Sequence, residues 1–116
     1  MVQMTVQVSE ELAERLRPFS AWLPTVLELS LVGFQTVAAA TATEVIQFLS
    51  QDPTPQEVLA YHVSERAQAR LQRLLALNAA GMLGADEQLE LDELQRIEHI
   101  LIMLKAQVAG QEQQEP

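Results

Sequence analysis

Between Pro18 and Thr43 the sequence carries a single charged residue, Glu28. A helix formed in that stretch is apolar on nearly every side, and such helices are buried in a core or in an assembly. At 116 residues the chain is long enough for one domain and is hard pressed to surround a helix completely. The apolar surplus therefore predicts self-association, as a dimer or higher homo-oligomer. Its interface is expected at Val26, Leu29, Val32 and Phe34, together with Ile97, Ile100, Leu101 and Leu104 near the C-terminus. A membrane span is not expected. Pro24, Glu28, Gly33, Gln35 and several threonines interrupt the run, and a span needs about 20 predominantly apolar residues. Glu28 is the candidate buried charge, because an isolated carboxylate in an apolar helix needs a partner. An arginine of the 66–73 region or of another chain is the expected one.

The flanking sequence is punctuated by caps and breakers. Val2, Met4, Val6 and Val8 alternate with polar residues, the period of a short strand with one buried face. Ser9, followed by Glu10 and Glu11, reads as an N-cap with acids in the first turn, and Pro18 ends that helix. Pro24 suits a first helical turn. Thr41 and Glu44 have capping-box spacing before Val45, and Thr54 and Glu57 repeat it around Pro55. Ser64 opens a longer helix that Gly81 stops. A last helix follows Gly84, with Leu94, Ile97, Leu101, Leu104 and Val108 at heptad spacing. The expected fold is mainly α: a short N-terminal strand, then about five helices, ending in a long antiparallel αα-hairpin (64–80, 85–109). Residues 1–109 form one domain (1–8 strand or arm, 9–61 short helices, 64–109 hairpin), and 110–116 are expected to be a disordered polar tail.

Composition narrows the chemistry. Seven Lys plus Arg against 16 Asp plus Glu give a net charge of −9, which disfavours broad contact with nucleic-acid phosphate or an anionic membrane surface. The absence of cysteine excludes disulfides, thiolate zinc sites and cysteine nucleophiles. His62 and His99 lie far apart and outside any metal-binding spacing. Asp86, Glu87, Glu90, Asp92, Glu93 and Glu98 crowd the start of the last helix, where acids are electrostatically favoured, and read as a solvated face. Arg66, Arg70 and Arg73 share a helix face and suit salt links between helices or chains. No glycine cluster forms a phosphate loop, and no nucleophile sits in an elbow. No catalytic, cofactor or metal residue is assigned, and the chain is expected not to be an enzyme. A polar pocket holding His62 or Glu28 would favour a ligand-binding alternative. No basic-then-apolar leader opens the sequence, so a cytoplasmic location is expected.

Two resemblances bear on function. Leu23–Leu31, Pro53–Leu59, Val63–Gln68, Leu77–Gly81, Glu90–Leu94 and Ile97–His99 together resemble an uncharacterised family of small bacterial proteins, common among cyanobacteria. That family brings no catalytic residue. Its members commonly have Ser or Thr where Gly84 stands, a better N-cap. The strand-then-helix N-terminus is similar to bacterial antitoxins, which hold a toxin with one segment and often bind DNA with another. The expected function is a non-enzymatic, self-associating helical protein that binds another protein in antitoxin style. The alternative is a ribbon-helix-helix regulator reading DNA through Gln3, Thr5 and Gln7 on a paired strand, although no Arg or Lys precedes Arg15 to attract phosphate.

Overall fold

The computed structural model describes the backbone of residues 1–114 and the side chains of residues 1–111. Six α-helices and one 3₁₀ turn make up its secondary structure: α1 Glu10–Leu16, the turn Arg17–Phe19, α2 Leu23–Leu31, α3 Ala38–Leu49, α4 Pro55–Ala60, α5 Glu65–Ala79 and α6 Ala85–Gln114.

Most helix ends follow from local chemistry. The Ser9 hydroxyl accepts the Leu12 amide at 3.1 Å and caps α1. Pro18 falls in the 3₁₀ turn, where its missing N–H ends the α-helical ladder. Thr54 and Glu57 close a reciprocal capping box on α4. Ser64 caps α5 through the Ala67 amide. At the other end of α5, Gly81 takes φ 71°, the Met82 amide donates to the Leu77 carbonyl and the Gly81 amide to the Asn78 carbonyl. That pair of bonds is a Schellman stop, and it turns the chain into the α5–α6 hairpin.

Three expectations need correction. The N-terminal strand is absent: residues 1–9 have no regular secondary structure and are exposed throughout. A strand's amides and carbonyls must pair with a neighbouring strand, and among the described residues no second strand exists to receive them. Alternation of side chains sets which face would be buried but supplies no ladder. Next, α3 starts at Ala38, before the Thr41–Glu44 pair. The Thr36 hydroxyl accepts the Ala38 amide, and three alanines in succession favour helix from there. Lastly, α6 runs to Gln114, past the expected end at 109. The rest of the expected tail, 115–116, lies outside the described residues.

The core is centred on α6, against which α2, α3, α4 and α5 all pack. Leu91, Leu94, Ile97, Ile100, Leu104 and Val108 are its buried positions, recurring every three or four residues as a helix face requires. They meet Leu29 of α2, Val45 and Leu49 of α3, Val58 of α4 and Leu74 of α5. Full burial of one such side chain stabilises by about 1.5–3 kcal/mol. Trp22, the sole tryptophan, packs against this core and donates its indole N–H to the Pro53 carbonyl at 3.2 Å. That bond ties the entry of α2 to the α3–α4 connection. No helix among the described residues is long and apolar enough to cross a membrane.

Candidate functional site

Two buried acids on α6 organise the polar interior. Glu93 is 7% exposed. Its Oε2 accepts the Gln35 amide at 2.8 Å, and its Oε1 accepts the Thr36 amide at 3.1 Å and the Thr36 hydroxyl. Burial works against its charge, but the Thr36 hydroxyl and the Gln35 and Thr36 amides outweigh it and hold the carboxyl below its ordinary range. The carboxylate thereby fixes the α2–α3 connection, which leaves α2 through Gly33 at φ 68°.

Glu90, one turn earlier, is also buried. Arg70 of α5 grips it with two bonds, Nε to Oε2 at 2.7 Å and Nη2 to Oε1 at 2.9 Å. Hydrogen bonding to Glu90 holds the guanidinium still more firmly in its charged form, against a smaller opposing effect of burial. A planar fork on a carboxylate fixes orientation as well as distance. Glu90 and Glu93 therefore depart from the solvated face expected of the acidic cluster. They sit on the inward stripe that continues through Ile97, Ile100 and Leu104, and that register was the available signal for their burial.

Arg70 lies in a cleft of about 810 Å³ between the start of α3 and α5. Arg66 and Arg73 line the same cleft, with Ala38, Ala40, Ala67 and Ala69 as small neighbours. Two acids border it. Glu90 is held by Arg70, and Glu44 accepts the Ser64 amide. Among the described residues, Arg66 and Arg73 form no ion pair.

A second cavity, of about 340 Å³, lies between the α4–α5 connection and α6. Tyr61, His62, Gln68, Glu98 and Lys105 line it together with Ile97 and Leu101. Tyr61 stacks on Phe48 with ring centroids 4.1 Å apart. Its hydroxyl is buried without a well-formed hydrogen bond. Burial, then the charge of neighbouring Glu44 and its pull on the phenol proton, push the Tyr61 pKa up to about 12. Lys105, the sole lysine, donates to the Tyr61 carbonyl and joins α6 to the end of α4. This cavity does contain His62, whose side chain is otherwise exposed. Among the described residues no group of three or more His, Asp or Glu is placed to hold a metal ion.

The residues expected at an interface lie in or against the core of the chain itself. Leu29, Ile97, Ile100 and Leu104 are buried within the chain, and Val26, Val32, Phe34 and Leu101 pack half-buried around the same core. Helices on several sides of α6 cover what one neighbour could not. Glu28 is corrected outright: it is exposed on α2, needs no buried partner, and leaves Arg70 to Glu90. Gln3, Thr5 and Gln7 are exposed on the N-terminal arm, and among the described residues no strand pairs with it to align them. Exposed apolar side chains include Met1, Val2, Met4, Val6 and Val8 of the arm and Leu12 of α1, Leu27 and Leu31 of α2, Val37 before α3, Met82 in the hairpin turn, and Leu89, Ile102 and Met103 of α6. No family model, curated protein or solved structure compared with this chain matches it.

Proposed function

We propose that this chain is a non-enzymatic, self-associating protein that works by protein–protein contact, with residues 1–16 as its docking arm. One observation carries the reading: the arm contributes no residue to the core, yet it holds Val2, Met4, Val6 and Val8 at 91, 85, 70 and 44% exposure. The body already has a continuous core of its own, so these side chains are not remnants of an incompletely packed fold. Exposed apolar side chains clustered on one segment favour a protein surface over water. The backbone of residues 1–9, outside any regular secondary structure, also leaves amides and carbonyls available to a partner.

The two cavities support an enzyme less well. In the smaller one Tyr61 keeps its proton at neutral pH and Lys105 is engaged with a backbone carbonyl. Neither is set against a nucleophile.

The test is the mass in solution by light scattering, over a concentration series, for the full chain and for a chain lacking residues 1–16. The expected result is an oligomer from the first and a helical monomer from the second. A full-length monomer at every concentration, or an oligomer untouched by the deletion, would overturn the proposal.

A further inference from the structure

Resting on that reading, we propose that the arginine cleft of one protomer receives the acidic helix α1 of a second copy, so that the arms are exchanged between protomers. Three of the chain's seven basic residues, Arg66, Arg70 and Arg73, line this one cleft on a molecule of net charge −9. Two copies repel each other over most of their surfaces, and a cationic cleft is where an acidic segment of the other copy is attracted.

Helix α1 has the matching charge. Glu10, Glu11 and Glu14 stand on seven residues that bury nothing and pack mainly against the 3₁₀ turn that follows. Glu14 is already paired with Arg17 and Arg15 adds a positive charge in the last turn, so the attraction falls to Glu10 and Glu11 in the first turn. Across the cleft, Arg66 and Arg73 are seven residues apart on one helix, about 10 Å along its axis, and are exposed and unpaired among the described residues. Arg70 between them is bound to Glu90 through Nε and Nη2. The cleft's own acids reduce this field without abolishing it: Arg70 is offset by Glu90, Glu44 keeps its charge while accepting the Ser64 amide, and Arg66 and Arg73 leave the lining with a formal surplus of one positive charge on a chain of −9.

Shape agrees with charge. Alanines at 38, 40, 67 and 69 border the cleft, and small side chains let a helix approach closely. Val37 is 73% exposed beside them, and Leu12 of α1 is 39% exposed. The two form an apolar pair that docking would cover. Residues 1–9 of that second copy, at about 3.3 Å each when extended, then reach some 30 Å further over the receiving protomer, which would bring Val2, Met4, Val6 and Val8 onto it. In this arrangement the charges set orientation and encounter rate, and the apolar arm supplies the affinity.

The experiment is a charge swap in the full chain, read by sedimentation equilibrium with helicity followed by circular dichroism. Arg66→Glu with Arg73→Glu, and separately Glu10→Arg with Glu11→Arg, should each weaken the dimer by about tenfold or more. The four changes together should restore its dissociation constant to within about threefold. Wild-type association should also weaken as salt rises from 0.05 to 0.5 M, roughly in step with the shrinking screening length. A wild-type chain that never associates would remove both this inference and the reading beneath it. A wild-type dimer indifferent to both double variants would overturn the cleft assignment alone, leaving the arm to dock elsewhere. Weakening by both pairs without recovery in the fourfold variant would refute their pairing.

Discussion

Glu93→Gln is the most informative single change in this chain. The substitution keeps size and shape but removes the charge and one acceptor. Oε2 of Glu93 serves the Gln35 amide, and Oε1 serves both the amide and the hydroxyl of Thr36. A glutamine must turn its NH₂ toward one of these donors, so at least one bond becomes a donor–donor opposition in a site only 7% exposed. Hydrogen bonds to a charged group contribute about 1.5–3 kcal/mol and neutral ones about 1 kcal/mol. Weakening two and losing one gives an expected destabilisation of about 2–4 kcal/mol, a large part of the ~5–15 kcal/mol that holds a domain together. Urea unfolding followed by Trp22 fluorescence measures it. The same experiment has a pH signature. Because the Glu93 carboxyl is held below its ordinary range, the unfolded state takes up the proton first as pH falls. Its stabilisation is complete above the unfolded value near 4.3 and disappears as pH drops through the lower folded value. The stability gap between wild type and Glu93→Gln should therefore be full at pH 7 and narrow in acid. A loss under about 0.5 kcal/mol at pH 7 would refute the assignment of Glu93 as the anchor, as would a gap independent of pH.

Other outcomes follow from the same geometry. Arg70→Ala leaves Glu90 buried without its counter-ion; because the guanidinium side chain is 39% exposed, the expected cost is about 1–3 kcal/mol, below that of a fully buried pair, measured by urea unfolding. Tyr61 is the only tyrosine, so absorbance at 295 nm reads its titration alone, and the midpoint should lie near 12 in the folded chain; a midpoint near 10 while circular dichroism remains native would contradict its burial beside Glu44. Since the unfolded phenol ionises first, Tyr61 should make stability fall as pH rises from 10 toward 12. Gly81→Ala should cost about 1 kcal/mol or slightly more through the left-handed backbone alone, since nothing lies within 4 Å of a methyl group there, and thermal unfolding would register it.

What the sequence made legible was local. Ser9, Thr54, Ser64 and Gly81 each act within one turn of backbone, so their roles as caps and stops could be read from neighbouring residues, and the structure uses each as expected. The hairpin of α5 and α6 follows from the Gly81 stop and the short connection. The failures concern interactions with distant or absent neighbours. A period-2 pattern at Val2–Val8 states which side chains share a face, but strand formation depends on a second strand that the chain does not contain among its described residues. Thr41 and Glu44 satisfy a capping rule that Thr36, five residues earlier, pre-empts. Glu44 is free to take the Ser64 amide from across the fold instead.

The uncharged run from Pro18 to Thr43 finds cover within the chain, where α2 and α3 bury their inner faces on α6. Glu28, Leu27 and Leu31 occupy the outer face of α2 and stay exposed. An apolar segment measures how much surface a chain would gain by burying, but not whether the partner surface is internal. Here α6 can receive four helices because it is long, and because two of its buried acids have partners within the fold, Glu90 in the Arg70 ion pair and Glu93 in hydrogen bonds from residues 35–36 that hold it charged. The internal pairing of these acids therefore lets the body close around α6, while Val2, Met4, Val6 and Val8 of the arm stay exposed, as do Leu31 and Val37 of the body.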